Sequence, residues 1–223
     1  MHITWSLSLE DNEVLPFIEQ LFNGVFYLWR MTEYTWLILA WGVYFLIHSI
    51  LASNPVKSFF KELLGKNFRL YRILYSILAT VGLLALLLFN ATLPNDFLLQ
   101  SVGIIRYASL MLATFGVIIM SQTFKEYSAM AFLGLTEESK KFIRSGILTK
   151  VRHPLYSGTI LIVVGFFLFT PTLATLLSVL CILIYLPIGI YLEEKKLLLE
   201  FGDLYAQYQK EVPALFPDFR KMF

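Results

Sequence analysis

Five apolar stretches, each close to the length that crosses a bilayer, constrain this chain more than anything else in it. They fall at roughly 34–52, 69–90, 103–124, 155–170 and 172–192. A transmembrane helix needs about 20 consecutive, predominantly apolar residues. The 223 residues are 57% hydrophobic and only 15% charged, where a soluble domain carries about a quarter charged residues. The expectation is an all-α integral membrane protein: a five-span helical bundle with a cytosolic C-terminal helical tail.

The segment 14–30 has a different pattern. Ile18, Leu21, Phe22, Val25, Phe26 and Trp29 recur at helical spacing, while Glu19, Gln20, Asn23 and Arg30 lie elsewhere on the helix. That is the signature of an interfacial amphipathic helix. The chain therefore divides into an N-terminal interfacial segment (1–33), spans one to three (34–124), a loop (125–154), and a hairpin with its tail (155–223). Lys57, Lys61, Lys66, Arg69 and Arg72 cluster in 53–72. Lys125, Lys140, Lys141, Arg144, Lys150 and Arg152 cluster in 125–154, and Lys195, Lys196, Lys210, Arg220 and Lys221 lie in the tail. The connections at 91–102 and around Pro171 carry no Lys or Arg. Such alternation is the positive-inside pattern and puts the N-terminus outside and the tail in the cytosol. Glu10, Asp11 and Glu13 make the N-terminus acidic, unlike the cationic start of a signal peptide. Cys181 is the single cysteine, inside an apolar run, so its expected role is packing. No basic patch interleaves with aromatics on a polar surface, which argues against nucleic-acid binding. No metal-ligand cluster is expected.

The chemistry concentrates in the last third. Gly146 and Arg152-His153-Pro154-Leu155-Tyr156-Ser157-Gly158 precede span four, and Glu193-Glu194 follow span five. Only Thr170-Pro171-Thr172 joins these spans, so they must be antiparallel neighbours and the two clusters must meet at one membrane level. Ionisable groups against membrane spans are functional-site candidates by default. A cationic cluster facing an acidic pair suits a polar cofactor of mixed charge. Pro187 is expected to kink span five and open room between the helices. Glu194, Leu197, Leu198 and Phe201 share one face of a helix that Gly202 caps. Tyr205 and Tyr208 follow in a short helix ended by Pro213, a tail that could fold back as an aromatic lid. The plainer readings are anchoring for Lys150 and Arg152, local ion pairing for Glu193, and interfacial belt residues for the tyrosines.

In order, these residues resemble the isoprenylcysteine carboxyl methyltransferase family and the wider integral-membrane methyltransferases that include phospholipid N-methyltransferases. The matching set is Gly146, Arg152-His153-Pro154, Tyr156 and Gly158, then Glu193-Glu194, Leu197, Gly202, Tyr205, Tyr208 and Val212-Pro213. The resemblance implies S-adenosylmethionine as cofactor, contacted by Arg152, His153, Tyr156, Glu193, Glu194, Leu197, Tyr205 and Tyr208. Arginine and histidine suit its carboxylate, a glutamate its ammonium or ribose, and aromatic faces its adenine and sulfonium. His48-Ser49-Ile50-Leu51-Ala52-Ser53, Arg69 to Ser76, Phe132-Leu133-Gly134-Leu135 and Glu211 to Pro217 narrow the likeness to the branch holding NnrU, nurim and methanethiol S-methyltransferases.

The leading expectation is methyl transfer to a small or lipophilic thiol, with Glu194 or His153 taking the thiol proton and Tyr156 orienting the acceptor. Three alternatives stand beside it. One is an isoprenylcysteine carboxyl or lipid acceptor, the membrane lipid then being substrate as well as solvent. Another is a haem-binding NnrU-like isomerase or accessory protein using His48 with His153. The last is a non-catalytic membrane protein like nurim.

Overall fold

A computed structural model of the chain describes residues 11–94, 96–128, 130, 133, 135–136 and 142–218; within 11–30 it describes the side chains of Glu19, Gln20 and Gly24 alone. The acidic stretch before Asp11, and Phe132 and Gly134 of the loop motif, lie outside the described residues. The helices are α1 (Asp11–Ala52), α2 (Asn54–Leu64), α3 (Phe68–Thr92), α4 (Ile104–Glu126), α5 (Pro154–Phe169), α6 (Leu173–Phe201) and α7 (Asp203–Glu211). Short 3₁₀ turns fill Gly65–Asn67 and Gly146–Thr149. Among the described residues the only β pairing is an isolated bridge between Phe97 and Thr172.

Among the described residues, four helical stretches are long and apolar enough to cross a membrane: Met31–Ala52, Asn54–Thr92, Ile104–Glu126 and Leu173–Phe201. This is a helical membrane protein. The fourth expected span has the expected extent and is the short one: α5 has 16 residues, about 24 Å at 1.5 Å per residue, less than the hydrocarbon thickness of about 30 Å. Five apolar segments are therefore four full-length helices and one short one. Segment 14–30 is helical, but no break divides it from the first span, because α1 runs through 42 residues.

Most of the described large apolar side chains on α1, α3 and α4 are exposed, as a lipid solvent allows. The window of α6 that could span is 28% buried, against 11% for each of the others, so α6 is the central helix. Its first half packs on α1 and α3 through Trp41, Leu37, Leu86 and Ala174. Within that apolar contact lies a closed polar network. Trp41 Nε1 and Asn90 Nδ2 both donate to Ser178 Oγ at 2.9 Å, and Thr175 Oγ1 reaches Asn90 Oδ1 at 3.4 Å. Helices in lipid gain little from apolar contact, so such interhelical hydrogen bonds carry specificity.

Close backbone approach joins α4 to α5. A Cβ on Gly116 would stand 2.6 Å from the Gly158 carbonyl, one on Gly158 2.8 Å from the Gly116 carbonyl, and one on Gly165 2.7 Å from the Ser109 carbonyl. Glycines at those points let the helices touch, the usual small-residue solution in membranes. At one end of the bundle, the connection after α3 closes the α5–α6 turn: Leu98 N–H donates to Pro171 O at 2.7 Å, Leu173 N–H to Asp96 O at 3.1 Å, and Tyr34 OH to Asp96 Oδ2 at 2.8 Å. The opposite end gathers the C-termini of α1, α4 and α6 with the N-termini of α3 and α5.

Candidate active site

Pro154 opens α5, where its missing N–H costs nothing and its fixed φ suits the first turn. The two residues before it, Arg152 and His153, are tied by their backbone to the returning tail. Arg152 N–H donates to Pro213 O and His153 N–H to Ala214 O, both at 2.9 Å. Ser157 Oγ donates to Leu215 O at 2.6 Å. Segment 213–215 thus lies along the entrance to α5 like a strap. It reaches that place because Gly202, at φ 54°, ends α6 and its N–H bonds Leu198 O at 2.9 Å; α7 then runs to Glu211, just before Pro213. The expected Gly202 cap, the short tyrosine-bearing helix and its end at Pro213 are all present.

Facing this entrance is the last part of α6, which continues unbroken through Pro187. Glu194 Oε1 accepts from Arg152 Nη2 at 2.7 Å and lies 3.1 Å from His153 Nε2. Glu193 Oε2 is 3.7 Å from His153 Nδ1, and Glu193 also pairs with the Tyr156 hydroxyl. A Cβ at Gly189 would meet that hydroxyl at 3.3 Å, so the absent side chain lets Tyr156 lie against α6. His153 is buried between the two carboxylates and the Tyr156 ring, 5.6 Å away edge-on. The two clusters, 41 and 42 residues apart in sequence, are one ion-paired constellation. Glu193 is its exposed corner, with 44% of the side chain accessible.

Arg152 is committed more fully than its charge alone implies. Nη1 donates to Gln209 O at 2.6 Å and Val212 O at 2.8 Å, while Nη2 holds Glu194. Only Nε remains, buried and without a partner. Beside it the Tyr205 hydroxyl is also buried and unpartnered. Burial, then the charge of Glu194, pushes that phenol above its ordinary range, with Arg152 pulling the other way. Two unsatisfied buried donors beside two carboxylates are costly in an apolar setting. They suit a ligand that brings both an acceptor and a cation, as an amino-acid moiety does.

The other tail residues sit differently. Tyr208 is buried, and its hydroxyl donates to Leu148 O at 2.6 Å. Its ring lies under the Arg144 guanidinium, 5.5 Å from the centroid. Tyr205, Tyr208 and Val212 form a cluster with Phe142, Leu197 and Phe201 packed on it. Tyr208 therefore braces the tail, and the half-buried Leu197 packs on the same cluster. Sequence reasoning missed the carbonyls of Gln209, Val212 and Leu215, which carry no side-chain signal. It also missed Tyr127, after α4, whose phenol lies close enough to Glu193 and Glu126 to feel both charges.

The NnrU protein family model matches residues 36–216, from the first span to the strap. The chain belongs to the NnrU family. Curated relatives are named for one activity. A methanethiol S-methyltransferase of Crocosphaera subtropica is 31% identical over 192 residues, 79% of this chain and 71% of that protein. The methanethiol S-methyltransferase of Pseudomonas deceptionensis is 42% identical over 81 residues, covering 35% of this chain and 29% of its own. One from a Pseudomonas species is 32% identical over 117 residues, 52% and 42% of the two chains. No solved structure matches significantly. The expected place in the NnrU and methanethiol S-methyltransferase branch is thus met.

Proposed function

We propose that this protein is an S-adenosylmethionine-dependent methyltransferase of the membrane that methylates a small thiol. The observation that carries the reading is the single constellation of Arg152, His153, Tyr156, Glu193 and Glu194 at one end of the bundle, with two buried donors left unpartnered. The naming of the relatives supports the reaction.

The cofactor supplies an electrophilic methyl group on a sulfonium. The residues of this chain hold, orient and shield. Arg152 Nε and the Tyr205 hydroxyl offer donors to a carboxylate. Glu193, exposed on one side, offers an acceptor to an ammonium or ribose. Glu194 links Arg152 to His153 and so fixes the ring that stands edge-on to Tyr156. The strap at 213–215 covers the entrance of α5, which limits water there. Alignment and water exclusion are the main levers for a displacement at carbon.

The test is calorimetric binding of S-adenosylhomocysteine to detergent-purified protein, wild type beside Arg152→Ala and Glu194→Gln. Wild type binds. Each variant loses a charge-assisted contact of about 1.5–3 kcal/mol, roughly 10- to 150-fold in Kd. Glu194→Gln loses cofactor affinity and kcat/KM together if the residue is an anchor. A loss of rate with affinity intact would make it the proton acceptor instead. No binding by folded wild type overturns the reading.

A further inference from the structure

Next to the constellation, between α1 and α3, is a cavity that it does not use. The volume is about 130 Å³, and Tyr44, His48, Tyr75, Leu78, Ala79 and Gly82 line it. Leu78 is exposed on the lipid-facing surface, so the cavity opens sideways, toward the membrane. Gly82 makes the room: a Cβ there would stand 3.0 Å from the Tyr44 ring. The walls are apolar except at the inner end. There the Tyr75 hydroxyl lies 3.3 Å from both His48 ring nitrogens, with the Tyr44 ring stacked on the imidazole at 5.9 Å. One hydroxyl engages one nitrogen at a time, so the Tyr75 hydroxyl satisfies only one of the two ring nitrogens. Tyr75 also lies within electrostatic range of Tyr156 and of Tyr185, and Tyr156 pairs with Glu193. Ser49, beside His48, bonds the Tyr185 hydroxyl at 2.8 Å. Tyr156 lies against Gly189, one turn beyond Tyr185 on α6, so the phenols of Tyr75 and Tyr185 lead from the cavity toward the constellation.

We infer that this cavity is the acceptor site of the proposed methyltransferase, taking a small neutral alkanethiol from the lipid side with His48 as the group that receives its proton. The inference rests on the reading given under Proposed function. Size, polarity and position support it. An apolar cavity of about 150 Å³ accepts benzene, so 130 Å³ holds a short alkanethiol and excludes most of a prenyl chain. Small thiols partition into lipid, which matches a lateral mouth. The thiol is a poor nucleophile until deprotonated. With the His48 N–H donating to Tyr75, the other nitrogen accepts the thiol proton. The sulfur forms its bond to the methyl carbon as the carbon–sulfonium bond breaks, giving a neutral thioether, and His48 later returns the proton to water. His48 thus acts as a catalytic residue that touches the acceptor.

The experiment compares wild type, Ala79→Phe and His48→Asn. It measures S-adenosylhomocysteine binding, ethanethiol binding to the S-adenosylhomocysteine-loaded protein by calorimetry, and steady-state methylation of ethanethiol and of the more acidic 2,2,2-trifluoroethanethiol. Ala79→Phe fills the cavity. It is expected to raise the ethanethiol Kd and KM at least tenfold, with S-adenosylhomocysteine Kd within twofold of wild type. His48→Asn is expected to lower kcat for ethanethiol at least 30-fold and to lower it several-fold less for the acidic thiol, whose proton is already largely lost; a purely structural role would penalise both thiols equally. Leu78→Ala, which widens the mouth, is expected to shift preference toward butanethiol. If Ala79→Phe binds ethanethiol like wild type, or the His48→Asn penalty is the same for both thiols, the inference is overturned while cofactor binding still upholds the methyltransferase reading. If wild type does not bind S-adenosylhomocysteine, both fall together.

Discussion

At the scale of single residues, Arg152 carries more of the architecture than a membrane-anchoring cation would. Three acceptors surround one guanidinium, Gln209 O, Val212 O and Glu194 Oε1, and its Nε is left without one. Lysine has the charge but not the planar fork. Arg152→Lys is therefore expected to loosen the tail, seen as faster proteolysis near residue 212, together with weaker S-adenosylhomocysteine binding. Tyr208 is the second brace. Tyr208→Phe leaves the buried Leu148 carbonyl without its donor, a cost of about 1–3 kcal/mol, to be read as a lower unfolding midpoint with little change in cofactor affinity. Burial pushes the Tyr208 phenol from its ordinary 10.0 up to about 12. Folding thus favours the protonated phenol: its contribution is full below pH 10 and is lost as pH rises through 12. Wild type is expected to release its tail to protease across that window, and Tyr208→Phe to lose this step.

At the scale of elements, the contact between α4 and α5 is the most vulnerable. Gly116 and Gly158 face backbone carbonyls, which cannot rotate away from an added carbon. Gly158→Leu is expected to destabilise by 3 kcal/mol or more, at and beyond the usual overpacking range of about 1–3 kcal/mol, and to displace the α5 entrance that carries Arg152 and His153. Gly42→Ala is the control within α1, where nothing stands within 4 Å of the new carbon; it is expected to be neutral or to stabilise by about 0.5–1 kcal/mol. Thermal unfolding in detergent distinguishes the two. The start of α6 depends on Thr172, whose side chain accepts from Thr175 N–H. Thr172→Ala is expected to cost about 1 kcal/mol in the same assay.

At the scale of the whole molecule, every candidate site residue lies at one end of the bundle, the end that holds the Lys/Arg-rich connections. We propose that this end is cytosolic and the 93–102 connection external, by the positive-inside rule. In a Cys181→Ala background, a cysteine at the exposed Gln100 is expected to react with impermeant maleimide added outside intact cells. Cysteines at Lys61 and Lys210 are expected to react only after permeabilisation. The opposite pattern would place the constellation away from nucleotide-derived cofactors and argue against the proposed function.

The sequence determined the helical membrane class, because apolar length is a local property that lipid reads directly. It also determined that Arg152-His153 and Glu193-Glu194 must meet, because Thr170-Pro171-Thr172 is too short for any other path. The Gly202 cap was legible for the same reason: it depends on one residue and its neighbours. The extent of the segment at 155–170 was legible to within a residue at each end; the pairing of the Pro171 turn carbonyl with Leu98 was not, since backbone atoms carry no side-chain signal. Nor was the use of each tyrosine, because an aromatic at a helix end can stack on a ligand or pack on its own chain. Only the tertiary structure decided that Tyr208 braces Leu148 while the Tyr205 hydroxyl stays unpartnered. It also placed the carbonyls of 212–215 along the entrance to α5, a contact made by backbone atoms that every sequence possesses and only a fold can aim.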